Sequence, residues 1–456
     1  MRKPSDVDRY LRSYSNLNGR AIVSGSLSGV ENAVVIPVLQ ERKSLFKTLA
    51  SLVKNPSADL KRTVVICVVN NHPPSVAGAE AVADNQETMH FLEGLIKQKG
   101  GAAASFPNGE KDFSVIADSE LRLALIDASS PGLEIPERDG GVGSARKMGM
   151  DAALRILDGE GSGDGVISCL DADTLVDENY LSAIFEFFKK SNCPAASAAY
   201  AHQIPDNPEV LSAICRYEIF LRSYVIGLRY AASPYAFPSI GSTISCSAPS
   251  YLAVRGMNRR SVAEDFHFLD KLAKLGPMGF IGETTVHPSA RLSRRVAFGT
   301  GRKMHYFLEE AAEEYLIHNP DIYRILLAWL NEATAAPDRS AEAIMAAAKR
   351  IHPLLGGYLD EARFPENWER IRKNSTHADH LLRQFHAWFD GLKTLRLVHH
   401  LERAEFPPAD MFRGLTDLLQ MTHREIPALG GKGNDIPDAT ELQTILSELR
   451  NLFPFS

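Results

Sequence analysis

The first 190 residues alternate between short apolar runs and segments with helical periodicity. The apolar runs, which predict buried strands, lie at 33–39, 63–69, 121–126 and 166–170. The segments with apolar residues every three to four positions, which predict helices, lie at 41–54, 79–99, 140–157 and 179–190. Continuous apolar runs are typical of strands covered on both faces, so the pattern predicts an α/β fold with a mostly parallel sheet.

Beyond residue 305 the strand-like runs disappear and helical periodicity continues to the end of the chain. The segments that carry it are 306–334, 341–358, 366–403, 408–422 and 439–451. We therefore expect three parts. They are an N-terminal helix and extension over 1–30, an α/β domain over 31–305, and an all-α domain over 306–456.

Composition narrows the class of protein. The chain has 456 residues, of which 45% are hydrophobic and 23% charged, and its net charge is −6. This balance predicts a globular protein with a large core and argues against nucleic-acid binding. The five cysteines lack C-x-x-C spacing and indicate buried thiols in a reducing compartment. No signal peptide or membrane-spanning run is evident, so we expect a cytoplasmic protein, for which peripheral membrane contact is also compatible.

Two aspartates directly follow the fourth apolar run. Asp171 and Asp173 are spaced i, i+2, so both carboxylates can point to the same side of the strand end. Close carboxylates repel each other, and a divalent metal that also binds substrate phosphates would relieve this repulsion. The alternative is a plain polar turn.

Other polar groups follow the first two predicted strands. They are Gln40-Glu41 and Asn70-Asn71. In parallel sheets, ligands bind outside the carboxyl ends of the strands, so a nucleotide across this edge would meet these residues and the aspartates. Because strand ends are commonly polar, the pattern alone does not decide between a site and a surface.

A glycine-rich segment, Gly140-Gly-Val-Gly-Ser-Ala-Arg146-Lys147, opens the third helix. Glycines let the backbone approach a ligand, and a helix N-terminus favours anions. The alternative is a flexible loop with a solvated basic pair. A dinucleotide fingerprint is disfavoured, because the spacing differs and the loop follows the third strand.

Two further segments carry candidate chemistry. Glu264-Asp265 opens an amphipathic helix, where the acids serve either as helix-capping residues or as a general base. The segment 287–303 is basic and begins with His287, a candidate metal ligand or a structural histidine. Its arginines suit diphosphate oxygens or form a solvated face.

Taken in order, these segments resemble a family-2 glycosyltransferase with a GT-A fold, over about residues 33–305. The matching motifs are Pro37-Val-Leu-Gln-Glu41, Asn70-Asn71 in place of paired aspartates, Gly141-Val-Gly-Ser-Ala-Arg146, Asp171-Ala-Asp173 and Glu264-Asp265. A Gln-x-x-Arg-Trp motif is absent, and Arg291-Leu-Ser-Arg294-Arg295 lies about where it would be.

The resemblance implies an inverting, metal-dependent transfer of a sugar from a UDP- or GDP-sugar to a hydroxyl acceptor, which would be a glycan, a lipid-linked compound or a small molecule. It implies Mn²⁺ or Mg²⁺ as cofactor. The implied catalytic residues are Asp265, as general base, and Glu264. The implied donor-binding residues are Pro37, Glu41, Asn70, Asn71, Gly141, Gly143, Arg146, Asp171, Arg294 and Arg302, and the implied metal ligands are Asp173, Asp171 and His287.

Two alternatives stay open on the sequence. A sugar-nucleotidyltransferase also binds nucleotides with carboxylate-held metal, although such enzymes usually carry a glycine-rich basic loop after the first strand. A non-catalytic sugar- or nucleotide-binding scaffold would fit the Asn70-Asn71 change. The helical segment 214–230 lies where an acceptor site is expected, and it is either a sugar or lipid platform or a helix packed on the C-terminal domain.

Overall fold

The computed structural model of this protein describes residues 5–72, 77–99, 111–136, 141–259, 263–291, 315–335, 339–430 and 437–452. The strands are β1 (Ile22–Ser24), β2 (Asn32–Val38), β3 (Thr63–Asn70), β4 (Arg122–Ala128), β5 (Val166–Cys169), β6 (Leu175–Val176), β7 (Ala195–Tyr200), β8 (Ile244–Ser247), β9 (Gly279–His287), β10 (Leu316–Ile317) and β11 (Ala409–Asp410).

The helices of the first part are α1 (Asp6–Tyr14), α2 (Arg42–Val53), α3 (Ser57–Lys61), α4 (Ala79–Lys99), α5 (Lys111–Ala117), α6 (Val142–Gly159), α7 (Tyr180–Lys190), α8 (Pro208–Tyr230), α9 (Ala248–Ala253) and α10 (Glu264–Ala273). Those of the second part are α11 (Pro320–Ala335), α12 (Ala341–Ile351), α13 (Pro353–Glu361), α14 (Phe364–Asn374), α15 (Ala378–Trp388), α16 (Gly391–Ala404), α17 (Met411–Met421) and α18 (Ala439–Leu452).

Within the described residues, nine strands form one sheet in the order β1-β4-β3-β2-β5-β8-β7-β9-β6. The neighbours β4, β3, β2 and β5, which the apolar runs predicted, are parallel to one another. The sheet becomes mixed beyond them, because β8 pairs antiparallel with both β5 and β7. The predicted α/β fold with a large, mostly parallel sheet is confirmed, and the carboxyl ends of four parallel strands share one edge.

Helices cover both faces of the sheet, which explains why β2 and β3 are buried along their whole length. One face packs against α2, α4, α5 and α7, and the other packs against α6, α9 and α10. Helix α6 lies very close to β2, because a Cβ atom on Gly149 would overlap the side chain of Val35. This close approach fixes the start of α6 relative to the carboxyl ends of the strands.

The C-terminal helices share a hydrophobic core with α8. Trp329, Trp368 and Phe385 lie at its centre, and Ile219 and Ile226 of α8 are part of the same cluster. Helix α8 therefore packs against the C-terminal helices, which was one of the two interpretations of the segment 214–230.

The prediction that strands are missing beyond residue 305 is wrong in one place, where β10 pairs antiparallel with β11. The predicted helix over 341–358 is divided at His352, because Pro353 begins a new helix and cannot donate a backbone hydrogen bond. The predicted helix over 366–403 is divided into three, since His377 and Asp390 each cap the N-terminus of a following helix.

Four of the five cysteines are buried and all five are free thiols, as predicted. The N-terminal helix is also confirmed, with Ser5 and Asp8 forming a capping box at its start. Within the described ranges, none of the helices combines the length and apolar character needed to cross a bilayer.

Candidate active site

The site lies at the edge where the parallel strands end. Glu41 follows β2, Asn70 and Asn71 close β3, and Asp171 and Asp173 follow β5. Because β3, β2 and β5 are adjacent and parallel, these residues come to one edge, as the sequence predicted. Pro37 is buried inside β2, and its role in donor binding stays a prediction.

Arg146 connects two of the predicted motifs. Arg146 is 4% exposed, and its guanidinium forms an ion pair with the carboxylate of Asp171 and donates a hydrogen bond to Glu264 Oε1 at 2.5 Å. A Cβ atom on Gly241 would overlap this guanidinium, so the absence of a side chain at Gly241 leaves room for Arg146. We call Arg146, Asp171, Glu264 and Asp265 the Arg146 cluster.

The glycines before α6 allow this placement. Gly141 is the N-cap of α6 and has φ 106° and ψ 173°, a conformation that residues with a side chain rarely adopt. Gly143 is buried in the first turn of the same helix. The glycine-rich segment thus brings Arg146 under the strand ends. The side chain contacts two protein carboxylates, and its predicted contact with the donor stays a prediction.

Helix α10 presents the acidic pair from a strained start. Ala263, its N-cap, adopts a left-handed conformation with φ 54° and ψ 31°. Burial raises the pKa of Glu264 to about 7, although Arg146 pulls the pKa lower. Burial also raises the pKa of Asp265, again opposed by Arg146. Glu264 is therefore suited to exchange a proton near neutral pH, and Asp265 binds a proton more strongly than an ordinary aspartate does.

A second arginine lies on the other side of the aspartate pair. Arg291 forms ion pairs with Asp173, at 2.9 Å from Oδ2, and with Glu41. The basic segment predicted at 287–303 thus reaches the site through its first arginine. Arg294 and Arg302 lie outside the described residues.

His287 contacts a different aspartate from the predicted pair. Its Nε2 lies 2.8 Å from Asp177 Oδ1, and its Nδ1 lies 3.2 Å from the carbonyl oxygen of Ala201. Among the described residues, no group of three or more His, Cys, Asp or Glu side chains is arranged to hold a metal ion. A role for His287 as a metal ligand stays a prediction.

Among the described residues of the site, carboxylates outnumber the arginines that contact them. The described residues at this edge include five carboxylates, Glu41, Asp171, Asp173, Glu264 and Asp265, and the arginines that contact them are Arg146 and Arg291. Side chains of Asp171 and Asp173 are 34% and 23% exposed, so solvent and ligands reach them. Two accessible carboxylates are the protein share of a typical Mg²⁺ or Mn²⁺ site that is completed by substrate phosphates. The residues therefore fit such an ion.

The asparagine pair lies deeper than the aspartates. Asn71 is 1% exposed and donates through Nδ2 to the carbonyl oxygen of Ser129 at 3.2 Å. Its Oδ1 has no hydrogen-bond partner among the described residues. The carbonyl oxygen of Asn70 accepts from Asn85 Nδ2 at 3.0 Å. A buried acceptor without a partner at the end of β3 is suited to a donor group on a bound ligand.

Sequence reasoning missed Gln203, which supports the aspartate turn. Gln203 follows β7, and its Nε2 donates to the carbonyl oxygens of Asp173 at 2.9 Å and His287 at 2.8 Å. The sequence around it contains no motif that would identify it, because its partners lie 30 and 84 positions away.

Comparison with known proteins gives one family match. Residues 166–298 match the model described as glycosyl transferase family group 2. The matched segment begins with β5 and contains Asp171, Asp173, Glu264, Asp265 and Arg291. A search of curated proteins gives no match.

Several solved structures are similar at low sequence identity. A crystal structure of S. aureus TarS 1–349 in complex with UDP-GlcNAc has 13% identity and a TM-score of 0.36, covering 76% of this chain and 91% of that chain. The complex of TarS 1–349 with UDP has 12% identity and a TM-score of 0.34, covering 78% and 91%. A longer TarS structure has 14% identity and a TM-score of 0.31, covering 82% and 55%.

The assignment rests on the family match, which falls on the segment that carries the predicted aspartate motif, the acidic pair of α10 and the first arginine of the basic segment. The fold agrees with it, since the large, mostly parallel sheet with its site at the carboxyl edge is the GT-A architecture that the sequence resembled. Residues 166–298 are therefore similar to glycosyltransferases of the family-2 group.

Proposed function

We propose that this enzyme transfers a sugar from a nucleoside diphosphate donor to a hydroxyl acceptor, with inversion at the anomeric carbon and with a divalent metal ion. The observation that carries the proposal is the Arg146 bridge, which joins Asp171 of the aspartate motif to Glu264 of the acidic pair. Two motifs that are 93 positions apart thereby face one space, in which donor and acceptor would meet.

In this proposal Asp171 and Asp173 hold Mn²⁺ or Mg²⁺, which when bound would stabilise the charge of the leaving diphosphate. Arg291 lies beside Asp173 and offers further positive charge for the diphosphate oxygens. Asn70 and Asn71 would contact the base or ribose, for which the Oδ1 of Asn71 is a suitable acceptor. A UDP- or GDP-sugar is the proposed donor, and the TarS complexes contain UDP and UDP-GlcNAc.

Asp265 is the proposed general base. It takes the proton of the acceptor hydroxyl while that oxygen bonds to the anomeric carbon, and the bond from this carbon to the diphosphate breaks. Glu264 is more buried and is hydrogen-bonded to Arg146, so its proposed role is to position the start of α10. The raised pKa of Asp265 makes it a stronger base than an ordinary aspartate.

Donor binding and turnover test the proposal together. Thermal unfolding is measured with UDP, GDP and their sugars, each with and without Mn²⁺, and hydrolysis of the stabilising nucleotide sugar is then followed. We expect one nucleotide to stabilise the wild type only when Mn²⁺ is present, and Asp173→Ala to lose that stabilisation. Metal-independent stabilisation in both proteins would remove the metal from the proposal.

A further inference from the structure

A second group of buried charges lies between α8, α18 and the segment after β7. Glu218 is completely buried, and its carboxylate accepts hydrogen bonds from His202 and from Arg222 at 2.8 and 2.9 Å. Arg450 of the last described helix adds a bidentate contact. Its Nε donates to Glu218 Oε1 and its Nη2 donates to Oε2, each at 2.7 Å. We call His202, Glu218, Arg222 and Arg450 the Glu218 cluster.

The Glu218 cluster is connected to the site through the chain itself. Glu218 accepts from the backbone nitrogen of His202 at 3.1 Å as well as contacting its ring. The next residue is Gln203, whose amide donates to the carbonyl oxygens of Asp173 and His287. Hydrogen bonds, together with the peptide link between His202 and Gln203, therefore connect the C-terminal helix to the backbone of the aspartate turn.

This arrangement restrains the segment after β7 from both sides. On one side it is fixed by a carboxylate that has no exposed surface and two arginine partners. On the other side one amide group satisfies two carbonyl oxygens, one in the turn and one at the end of β9. Buried charge-assisted hydrogen bonds are directional, so a change at Arg450 displaces the partners that face it.

We propose that Arg450, Glu218, His202 and Gln203 are positioning residues, through which the last helix fixes the turn of Asp171 and Asp173. Outer contacts of this kind set the orientation of groups that bind a ligand, although they do not touch the ligand. The catalytic consequence rests on the function proposed above, whereas the structural coupling does not.

Hydrogen exchange of the turn tests the coupling without any ligand. The amide of Thr174 donates to the carbonyl oxygen of Asp171 at 3.1 Å and reports on the integrity of the turn. In Gln203→Leu and in Arg450→Met, we expect exchange in peptides covering 171–176 to be roughly tenfold faster, because the turn should open locally more often. Exchange is followed by mass spectrometry at one pH and temperature.

Two control variants separate coupling from general loss of stability. Ile344→Ala removes a buried side chain from the helical core and makes none of these contacts. Arg324→Gln removes an exposed arginine that pairs with Asp321. We expect neither control to change exchange at 171–176. Arg450→Lys keeps the positive charge but loses the bidentate geometry of the guanidinium. Its exchange rate at 171–176 should therefore lie between those of Arg450→Met and the wild type.

A binding measurement extends the test to the site. The Mn²⁺ concentration needed for stabilisation by UDP or GDP should rise about tenfold in Gln203→Leu, a size typical for loss of an outer contact. The proposal is overturned if Gln203→Leu and the Arg450 variants match the controls in exchange. If wild-type protein binds no nucleotide, the proposed function fails, and the exchange data still decide the coupling.

Discussion

The Arg146 cluster and the Glu218 cluster both bury carboxylates beside arginine, yet they have opposite electrostatic properties. Burial raises the pKa of Glu264 to about 7, and the arginine that opposes this shift is shared with Asp171. Burial also disfavours charge on Glu218, but Arg222, Arg450 and His202 outweigh it and hold its pKa well below the usual range. The first carboxylate is poor in cationic partners and the second is rich in them.

The opposite pKa shifts of Glu264 and Glu218 suit the two clusters to different roles, proton exchange in the first and structural support in the second. A carboxyl group whose pKa is near neutral can gain or lose a proton during turnover. A carboxylate with several cationic partners stays charged and fixes the geometry of its neighbours. The exposure of the two clusters agrees with this division, since Asp171 is accessible and Glu218 is not.

The largest expected effect tests the chemical role of the first cluster. Asp265→Asn should lower turnover by roughly 10²–10⁴-fold, the usual contribution of a general base, while nucleotide binding is preserved. Initial rates and calorimetric titration with the nucleotide measure the two quantities. A matched control is Asp321→Asn, which changes an exposed aspartate of the helical region. Near wild-type turnover in Asp265→Asn would show that Asp265 is not the base.

The next effect tests the structural role of the second cluster. Glu218→Gln leaves the buried Arg222 and the partly exposed Arg450 without their carboxylate and should lower the free energy of unfolding by about 3–5 kcal/mol at neutral pH. Denaturant titration measures the change, and Asp321→Asn should stay within about 0.5 kcal/mol of wild type. A loss below about 1 kcal/mol would mean that the cluster contributes little to stability.

The contributions of Glu218 and Glu264 to the free energy of unfolding should change in opposite directions with pH. The folded pKa of Glu218 is lowered, so its stabilisation is present above its unfolded pKa of about 4.3 and is lost as the pH falls below this value. The folded pKa of Glu264 is raised to about 7, so its contribution is present below about pH 4.3 and is lost as the pH rises through 7. Unfolding of Glu264→Gln and Glu218→Gln across this range measures both.

The pH dependence of turnover should reflect ionisation of the Arg146 cluster and not of the Glu218 cluster. Because a general base acts in its ionised form and burial raises the pKa of Asp265, the rate is expected to fall on acidification already above the ordinary aspartate range, by up to about tenfold per pH unit. The pH profile of initial rates at saturating donor measures this limb. A profile that falls only near the ordinary aspartate pKa of about 3.9 would contradict the raised pKa of Asp265.

The smallest effect concerns backbone strain, which differs between the clusters. Ala263, directly before Glu264, is left-handed, whereas His202, Glu218, Arg222 and Arg450 all have negative φ angles. Glycine tolerates the left-handed conformation, so Ala263→Gly should stabilise the protein by up to about 1 kcal/mol. Thermal unfolding of Ala263→Gly measures the change, and a marked destabilisation would show that Ala263 makes contacts that outweigh its strain.

The sequence predicted the strands that lie wholly within the core. The runs that became β2 and β3 are continuously apolar because helices cover both faces, and this leaves a signal in the residues themselves. Strand β7, by contrast, reads Ala-Ala-Ser-Ala-Ala-Tyr, and its side chains carry little preference for a strand. It forms between β8 and β9, so its conformation is decided by its neighbours.

For the site, the sequence by itself identified Asp171, Asp173, Glu264 and Asp265, because each pair follows a recognisable strand end or helix start. Only the tertiary structure decided that Arg146 contacts Asp171 and Glu264, that His287 pairs with Asp177, and that Glu218 joins the last helix to α8. The physical reason is that local patterns record propensity and burial, whereas the partner of a charged side chain depends on which distant segments the fold brings within a few ångströms.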